Sequence, residues 1–447
     1  MYIYIHVENF AREFDAKLLL SILALKKNIK ILLGDVNKVV QKKNTPRGIF
    51  HNKDITASKE IIEIFKNTKK NKILITSQDE EGGIERETPE FFAIRRYSSK
   101  TFKLVDKVFT FGKFDTDYLK NKYPIHKDKI VNTGSPRFDF YKPMLNNKNQ
   151  KKKFILISSN FATSLERRNF WDRIKIEKNA WVGKFYGSKE EKRQFDEYSH
   201  NNLKIYEMIR LVRYLTEKYK KEKFIFRPHP IESIDGWKTV IGERKNLEVI
   251  RDGTLVDWIY GAKILIQSGC YSAIEASLAG TNIITFQPFF DNRFDKYFPS
   301  SLGYYCKNVR EVDKKFSVCL KNSSELNKLN LRNLKKVKKR LNFYEKRMTS
   351  YEIVKIWDEL SKNVKMDKSL EQKFDRQLIY QIFLFKVKNF IKKIFFTKDI
   401  NKMQDAKFPP LDVDYIEKRK NFLLKKLKID KEVKIKQISN HLCLIKL

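Results

Sequence analysis

Residues Lys263–Pro288 read KILIQSGCYSAIEASLAGTNIITFQP, and the fold follows from their punctuation. Ile264-Leu265-Ile266 is a short apolar run, and Ser268-Gly269-Cys270-Tyr271-Ser272 is a tight polar turn. Ala273–Ala279 carries a helical pattern that stops at Gly280, and a second apolar run, Ile283-Ile284-Thr285-Phe286, follows. Strand, turn, helix, glycine stop and strand in that order predict one βαβ unit of a parallel sheet. Small residues at a strand-to-helix turn leave backbone N–H groups open, and the helix dipole adds partial positive charge there. The turn therefore suits a phosphate, with Ser268, Gly269 and Ser272 as candidate contacts. Glu275, one turn into the helix, is placed for a ribose hydroxyl. The competing reading is that the two serines only cap the helix.

Upstream, Phe224-Ile225-Phe226 ends in Arg227-Pro228-His229-Pro230. Two prolines hold the backbone extended, so His229 is presented on a rigid elbow at a strand end. Ligands of open α/β sheets bind at the carboxyl ends of the strands. Arg227, His229, Ser268 and Ser272 are thus expected to face one crevice.

The 447 residues leave room for two or three domains. A net charge of +39 ordinarily directs attention to nucleic acid or an anionic membrane. Here the lysines are spread along the chain, with no basic patch interleaved with stacking aromatics, so nucleic acid is not an expected partner. Cys270, Cys306, Cys319 and Cys443 show no paired spacing, so neither a disulfide framework nor a zinc site is indicated. Residues 1–7 lack a basic leader and a cleavage site and read as a strand. No apolar run is long enough to span a bilayer, and the expected location is the cytoplasm.

Strand-like and helical segments alternate from Tyr2 to Asn132. Strands are expected at Tyr2–Val7, Ile29–Leu33, Lys72–Thr76, Lys107–Phe111 and Lys129–Asn132. Helical patterns lie at Ala11–Leu25, Ser58–Phe65 and Pro89–Leu104. This is a doubly wound half-molecule. Between strand and helix sits Asp79-Glu80-Glu81-Gly82-Gly83. Three adjacent carboxylates at a strand end repel one another, which suits one of them to base chemistry; the alternative is a solvated acidic turn. Asp115/Asp117 and Asp412/Asp414 are assigned to helix starts or surface turns, and no metal is expected.

After a lysine-rich hinge at Asn146–Lys153 the alternation restarts with Phe154–Ser158. Residues 160–200 show no clean period and read as a long loop or insertion, and a helix is expected at Leu203–Tyr219. The predicted fold is α/β, with two Rossmann-like domains facing a cleft and a C-terminal helical extension. Residues 1–145 form one domain with the acidic motif, residues 151–330 a second with the His-Pro and serine turns, and residues 331–447 a basic helical extension.

The combination of an acidic Gly motif at Asp79-Glu80-Glu81-Gly82, His229-Pro230, and Ser268…Ser272 on two such domains resembles glycosyltransferase-B enzymes. Among them it is similar to bacterial sialyltransferases and Kdo transferases. Arg12–Leu20, Ser77-Gln78-Asp79-Glu80 and Thr133-Gly134-Ser135-Pro136-Arg137 also resemble the surface carbohydrate biosynthesis protein family. The likeness covers roughly residues 1 to 330. One departure is the serine motif, split as Ser268-Gly-Cys-Tyr-Ser272 where an adjacent hydroxyl pair is usual. The resemblance implies metal-independent transfer of an acidic ulosonic acid from a CMP-linked donor onto a glycan or lipid-linked glycan acceptor. It implies that His229 with Ser268/Ser272 holds the leaving phosphate, that Glu275 holds the ribose, and that Arg137 and Arg227 pair with donor carboxylate or phosphate. Glu80 or Glu81 would then be the base or the nucleophile, residues 1–145 the acceptor side, and residues 151–330 the nucleotide-sugar domain. A CDP-glycerol-type polymer phosphotransferase and a nucleotide-sugar epimerase share the fold and stand as alternatives.

From Asn308 onward the composition shifts to lysine-rich helices. Ile379, Phe383, Val387, Phe390, Ile391 and Ile394 fall on one face of a helix at Leu378–Phe396, with Lys388, Lys392 and Lys393 largely outside it. That pattern fits an interfacial helix on an anionic membrane surface, or a helix docked on its own domain. A further basic helix is expected at Tyr415–Lys428.

Overall fold

Apolar runs that fill both faces of a strand must be covered on both sides. The computed structural model of the chain places them at the centres of two sheets. The structure describes residues 1–82, 96–147, 150–161, 170–180, 184–321, 324–344, 346–395 and 407–447. Among these, β1–β6 are Tyr2–His6, Lys30–Gly34, Gly48–Asn52, Leu74–Gln78, Lys107–Thr110 and Ile130–Asn132. Next come β7–β12, which are Phe154–Ser158, Phe224–Arg227, Leu247–Val249, Ala262–Gln267, Asn282–Phe286 and Tyr304–Cys306. The last two, β13 and β14, are Lys434–Ser439 and Leu442–Lys446.

The chain divides into two compact units. One holds the described residues of 1–83, 92–146 and 340–447, and the other chiefly those of 147–339. The first sheet has the order β13-β14-β2-β1-β3-β4-β5-β6, and β1 through β6 pair in parallel. The second has the order β12-β11-β10-β7-β8-β9 and is parallel throughout. Both are doubly wound α/β arrangements, as the alternation predicts.

The region after Arg340 is helical, as expected, but its end is not. The β13–β14 hairpin is antiparallel, and β14 runs antiparallel along β2. Gly34 permits that junction. It sits at φ +133°, and a Cβ there would meet the His441 carbonyl oxygen at 2.0 Å. The segment is thus a structural part of the first unit. Helix Thr349–Ser361 is fixed at its N-terminus by Asp139, whose carboxylate accepts from the Thr349 and Ser350 N–H groups at 2.9 and 2.8 Å. At the other side, Asp15 is gripped by Arg419 of helix Val413–Leu427.

Several elements differ from expectation. β3 is an additional strand, and the helix expected from Leu203 begins at Lys189 and runs to Lys218. Helix Phe170–Ala180 also lies within the stretch expected as a loop. Of the helix expected over Pro89–Leu104, Ser99–Leu104 is present and residues 89–95 lie outside the described set. The amphipathic tail helix spans Lys368–Phe395, beginning well before Leu378. It is docked through Phe374, Leu378 and Ile382, which join the core of the first unit.

Candidate functional site

In each sheet the first strand has a neighbour on either side that comes later in the chain. This is the topological switch point at which open α/β sheets bind ligands. In the first unit it lies at β1, between β2 and β3. A cleft of about 810 Å³ opens at the carboxyl ends of these strands, lined among others by His6, Glu8, Asp35, Lys53, Asp54 and Arg96. Burial, reinforced by Lys17, pushes the His6 imidazole down to about 4, so the ring is neutral at pH 7. Its Nδ1 is buried without a hydrogen-bond partner among the described residues. Burial raises the Glu8 carboxyl, but Lys53 and Lys407 outweigh it and hold the group at about 2.

The acidic motif follows β4 and is knit into this region by cations. Asp79 takes a bidentate pair from Arg96 at 2.7 and 2.8 Å and caps the Glu81 N–H at 2.9 Å. Burial pushes the Asp79 carboxyl up, against the pull of Arg96. Glu80 is buried, with Oε1 3.3 Å from Lys17 Nζ, while Oε2 has no hydrogen-bond partner among the described residues. Burial pushes this carboxyl up too; Lys17 opposes the shift and Glu13 adds to it. Lys17 donates to Glu13 at 2.8 Å, and Arg12 joins Glu13 at 2.8 Å to Glu81 at 3.4 Å. Arg137 donates to the Glu80 carbonyl at 3.3 Å, so it belongs with the acidic motif. Glu81 alone of the three carboxylates reaches solvent, with 45% of its side chain exposed.

In the second unit the switch point lies between β7 and β10. Here the turns are tied to one another mainly by neutral groups. The Ser159 hydroxyl, just past β7, accepts from the His229 N–H at 3.2 Å, and Asn160 Nδ2 donates to the Gly269 carbonyl at 3.3 Å. The end of β7 thereby hooks both the His-Pro turn after β8 and the serine turn after β10. Beneath the His-Pro turn lies Glu232, fully buried. It accepts from Phe161 N–H at 2.5 Å, Trp237 Nε1 at 2.7 Å, His229 N–H at 3.3 Å and the Ser159 hydroxyl. Burial pushes its carboxyl up against these hydrogen bonds. Arg251 donates to the carbonyls of His229 and Glu232 at 3.1 and 2.9 Å, which leaves the elbow little freedom.

The serine turn is equally fixed. Ser268 donates to Gln287 Oε1 at 2.9 Å, Gln287 donates to Ser300 at 2.9 Å, and Cys270 N–H donates to Gln267 Oε1 at 2.6 Å. Gly269 takes φ +66°, and a Cβ there would crowd the Ser300 hydroxyl at 3.3 Å. Helix Ser272–Ala279 starts without a side-chain cap. The Ser272 hydroxyl is buried and has no hydrogen-bond partner among the described residues. Glu275 is buried in the helix's first turn. Simple serine capping therefore does not describe this turn.

His229, Ser268, Gly269, Ser272 and Glu275 thus gather at one end of the second sheet, and Asp79, Glu80, Glu81 and Arg137 at one end of the first. Arg227 ends β8 in the same region as His229, but its guanidinium donates to the Asp252 and Gly253 carbonyls at 2.7 and 2.8 Å and lies over the Trp258 ring. Arg96 and His6 in the first site, and Ser159, Glu232 and Gln287 in the second, carry no comparable motif, while Lys17 lies within the Arg12–Leu20 stretch without a role read for it from the sequence. Only Glu232 has a local signal, a carboxylate three residues after His229 in a proline turn. Among the described residues no cluster of His, Cys, Asp or Glu is arranged to hold a metal ion.

No protein-family model matches the sequence, and no curated protein does so either. Several solved structures are similar to this chain in part. The S. aureus MnaA–UDP co-structure has a TM-score of 0.47 at 14% identity over 79% of this chain and 94% of that one. The Methanocaldococcus jannaschii UDP-GlcNAc 2-epimerase in complex with UDP-GlcNAc and UDP has a TM-score of 0.47 at 13% identity, covering 80% and 99%. The wall teichoic acid polymerase TagF has a TM-score of 0.48 at 10% identity, covering 83% and 90%. These likenesses leave activity and substrate to the chain's own residues.

Proposed function

We propose that the chain is a glycosyltransferase that moves a sugar from a CMP-linked donor to a glycan acceptor. The observation that carries this is the Ser272 hydroxyl, buried and without a hydrogen-bond partner among the described residues, at an uncapped helix start on the end of the sheet that also carries the rigid His-Pro elbow. A buried hydroxyl left unsatisfied costs about 1–3 kcal/mol, so a protein keeps one where a ligand completes it. Phosphate oxygens complete a helix N-terminus and a neutral hydroxyl together. The sugar, an acidic ulosonic acid, is supported by the three-motif resemblance and not by geometry.

In this reaction the acceptor oxygen bonds to the anomeric carbon as the bond from that carbon to the phosphate oxygen breaks, and CMP leaves with the electron pair. Negative charge grows on the phosphate, where fixed donors at His229, Ser272 and the helix N-terminus lower the barrier without a metal. The acceptor proton goes to a carboxylate of the acidic motif. Asp79 is committed to Arg96 and Glu80 is enclosed, so Glu81 is the proton acceptor and the other two fix its place.

The test is a thermal-shift series with CMP, CDP, UMP and UDP, followed by product analysis with CMP- and UDP-sugars. The proposal expects the largest stabilisation from CMP and release of CMP during turnover. Stabilisation by UDP alone, with epimerised UDP-sugar as the product, would replace transfer by epimerisation.

A further inference from the structure

We propose that helix Lys368–Phe395 docks the chain on an anionic lipid surface. From Arg376 to Phe395 it reads RQLIYQIFLFKVKNFIKKIF, with no carboxylate. The acidic residues of its beginning are used internally. Asp375 pairs with Tyr2 and Lys30, and Glu371 meets the Met1 amino group at 3.2 Å. Phe374, Leu378 and Ile382, four apart, are sunk into the core that also contains Ile438, Leu442 and Leu444. At helical spacing the other side carries Ile379, Phe383, Val387 and Phe390, bordered by Tyr380 and Leu384. All six are exposed, Phe383 at 60% and Phe390 at 67%. An apolar stripe of this kind marks an interaction site.

Charge decides the occupant. Lys386 and Lys388 are exposed and fall on the two borders of the stripe, placed to extend their amines past it. Pairing two copies of the chain helix to helix through the stripe would set Arg376, Lys386 and Lys388 of each against the other, with no carboxylate in residues 376–395 of either helix to offset them. Anionic headgroups neutralise the same cations, and each lysine near such a surface adds about fivefold to the affinity. Beside the stripe, a pocket of about 500 Å³ is lined by Lys38, Lys42, Lys388 and Leu384 among others. It shares Asp35 and Lys38 with the cleft of the first unit. A chain held by this helix therefore has that cleft next to the headgroups. Under the transfer reading this suits an acceptor carried on lipid, but docking is measured without turnover. No helix among the described residues is long and apolar enough to cross a membrane.

The test is co-sedimentation of the full chain with vesicles of phosphatidylcholine, alone or with about one-third phosphatidylglycerol. Binding is expected only to the anionic vesicles and is expected to weaken as salt rises. The double variant Phe383→Ser/Phe390→Ser replaces exposed side chains, so its thermal melt should match the parent while its affinity falls about tenfold or more. Lys386→Glu/Lys388→Glu should remove the preference for anionic lipid. Equal binding to both vesicles, full binding by the phenylalanine variant, or a dimer in sedimentation equilibrium that this variant dissolves would each overturn the proposal. If vesicles bind and no nucleotide-sugar is turned over, the transfer reading falls and docking stands.

Discussion

The two sheets place their candidate sites at the same topological point and build them from opposite materials. In the first unit the carboxyl ends of the strands are lined with ions, in which Arg12, Lys17 and Arg96 interlock with the buried Glu13, Asp79 and Glu80 and the part-exposed Glu81. In the second, hydroxyls, amides and backbone N–H groups tie the turns together, and Glu232, the carboxylate beneath the His-Pro turn, is met by neutral donors. The difference fits a division of labour. A proton acceptor needs charges that set its position and basicity. A phosphate receptor needs neutral donors waiting at a helix dipole, because while empty they cost less than an unpaired buried charge and an arriving anion completes them.

Catalysis separates the two most sharply. Glu81→Gln should lower turnover by about 10²–10⁴-fold, while CMP affinity in calorimetry stays within about twofold. Parent-like turnover would show that the exposed carboxylate is a surface turn.

Stability comes next. Arg96→Met strands the Asp79 carboxylate in the interior, and breaking a buried pair in this way costs about 3–5 kcal/mol in a denaturant melt. Ser268→Ala, in the neutral site, removes one hydrogen bond and should cost about 1 kcal/mol. Similar losses in the two variants would contradict the contrast in materials.

Acidification should also tell the units apart. The folded values of His6 and His51, about 4 and about 3, lie below the 6.5 of a free ring, mainly through burial. The unfolded chain therefore binds more protons between these values, and stability is lost as pH falls below 6.5. For His6 alone the displacement amounts to about 3 kcal/mol. The Glu8 contribution follows as pH drops from the ordinary carboxylate range toward 2. Glu232 works in the opposite sense, since its raised value means the folded state holds the proton more tightly. The second unit's Asp295, held at about 2 against burial by His200 and Lys204, weakens only below the ordinary carboxylate range. Hydrogen exchange, corrected for intrinsic rate, should show β1 and β3 opening before β7 and β10 between pH 6.5 and 4.

Sequence pattern reveals what is apolar on both faces. β1, β7 and β10 each contain an uninterrupted hydrophobic run, and the helix-and-glycine rhythm after Ser272 sets β11 behind β10. β3 was hidden because its Gly-Ile-Phe-His-Asn carries polar residues that become legible only with their partners. His51 bonds Thr76 at 3.1 Å and meets the edge of Trp357. β13 and β14 were masked by the lysines of an edge hairpin. Helix Lys189–Lys218 was obscured because its first half shows little apolar period and is tied by pairs such as Arg193 with Glu190 and Glu197. At the sites, the motif residues were visible and their supports were not. Arg96 reaches Asp79 from 17 positions away in sequence, and Gln287 lies 19 beyond Ser268. Neither spacing is periodic.

The smallest expected change is in the stability of Ser272→Ala, and the same variant gives the decisive measurement. Removing a buried hydroxyl without a partner should leave the melting temperature unchanged or slightly raised. Calorimetric titration with CMP and with cytidine, on the parent and on Ser272→Ala, then tests the phosphate receptor itself. The parent should bind CMP far more tightly than cytidine, and Ser272→Ala should lose about tenfold for CMP and nothing for cytidine. Equal affinities of the parent for CMP and cytidine, or a Ser272→Ala variant that binds CMP as the parent does, would contradict a phosphate receptor here.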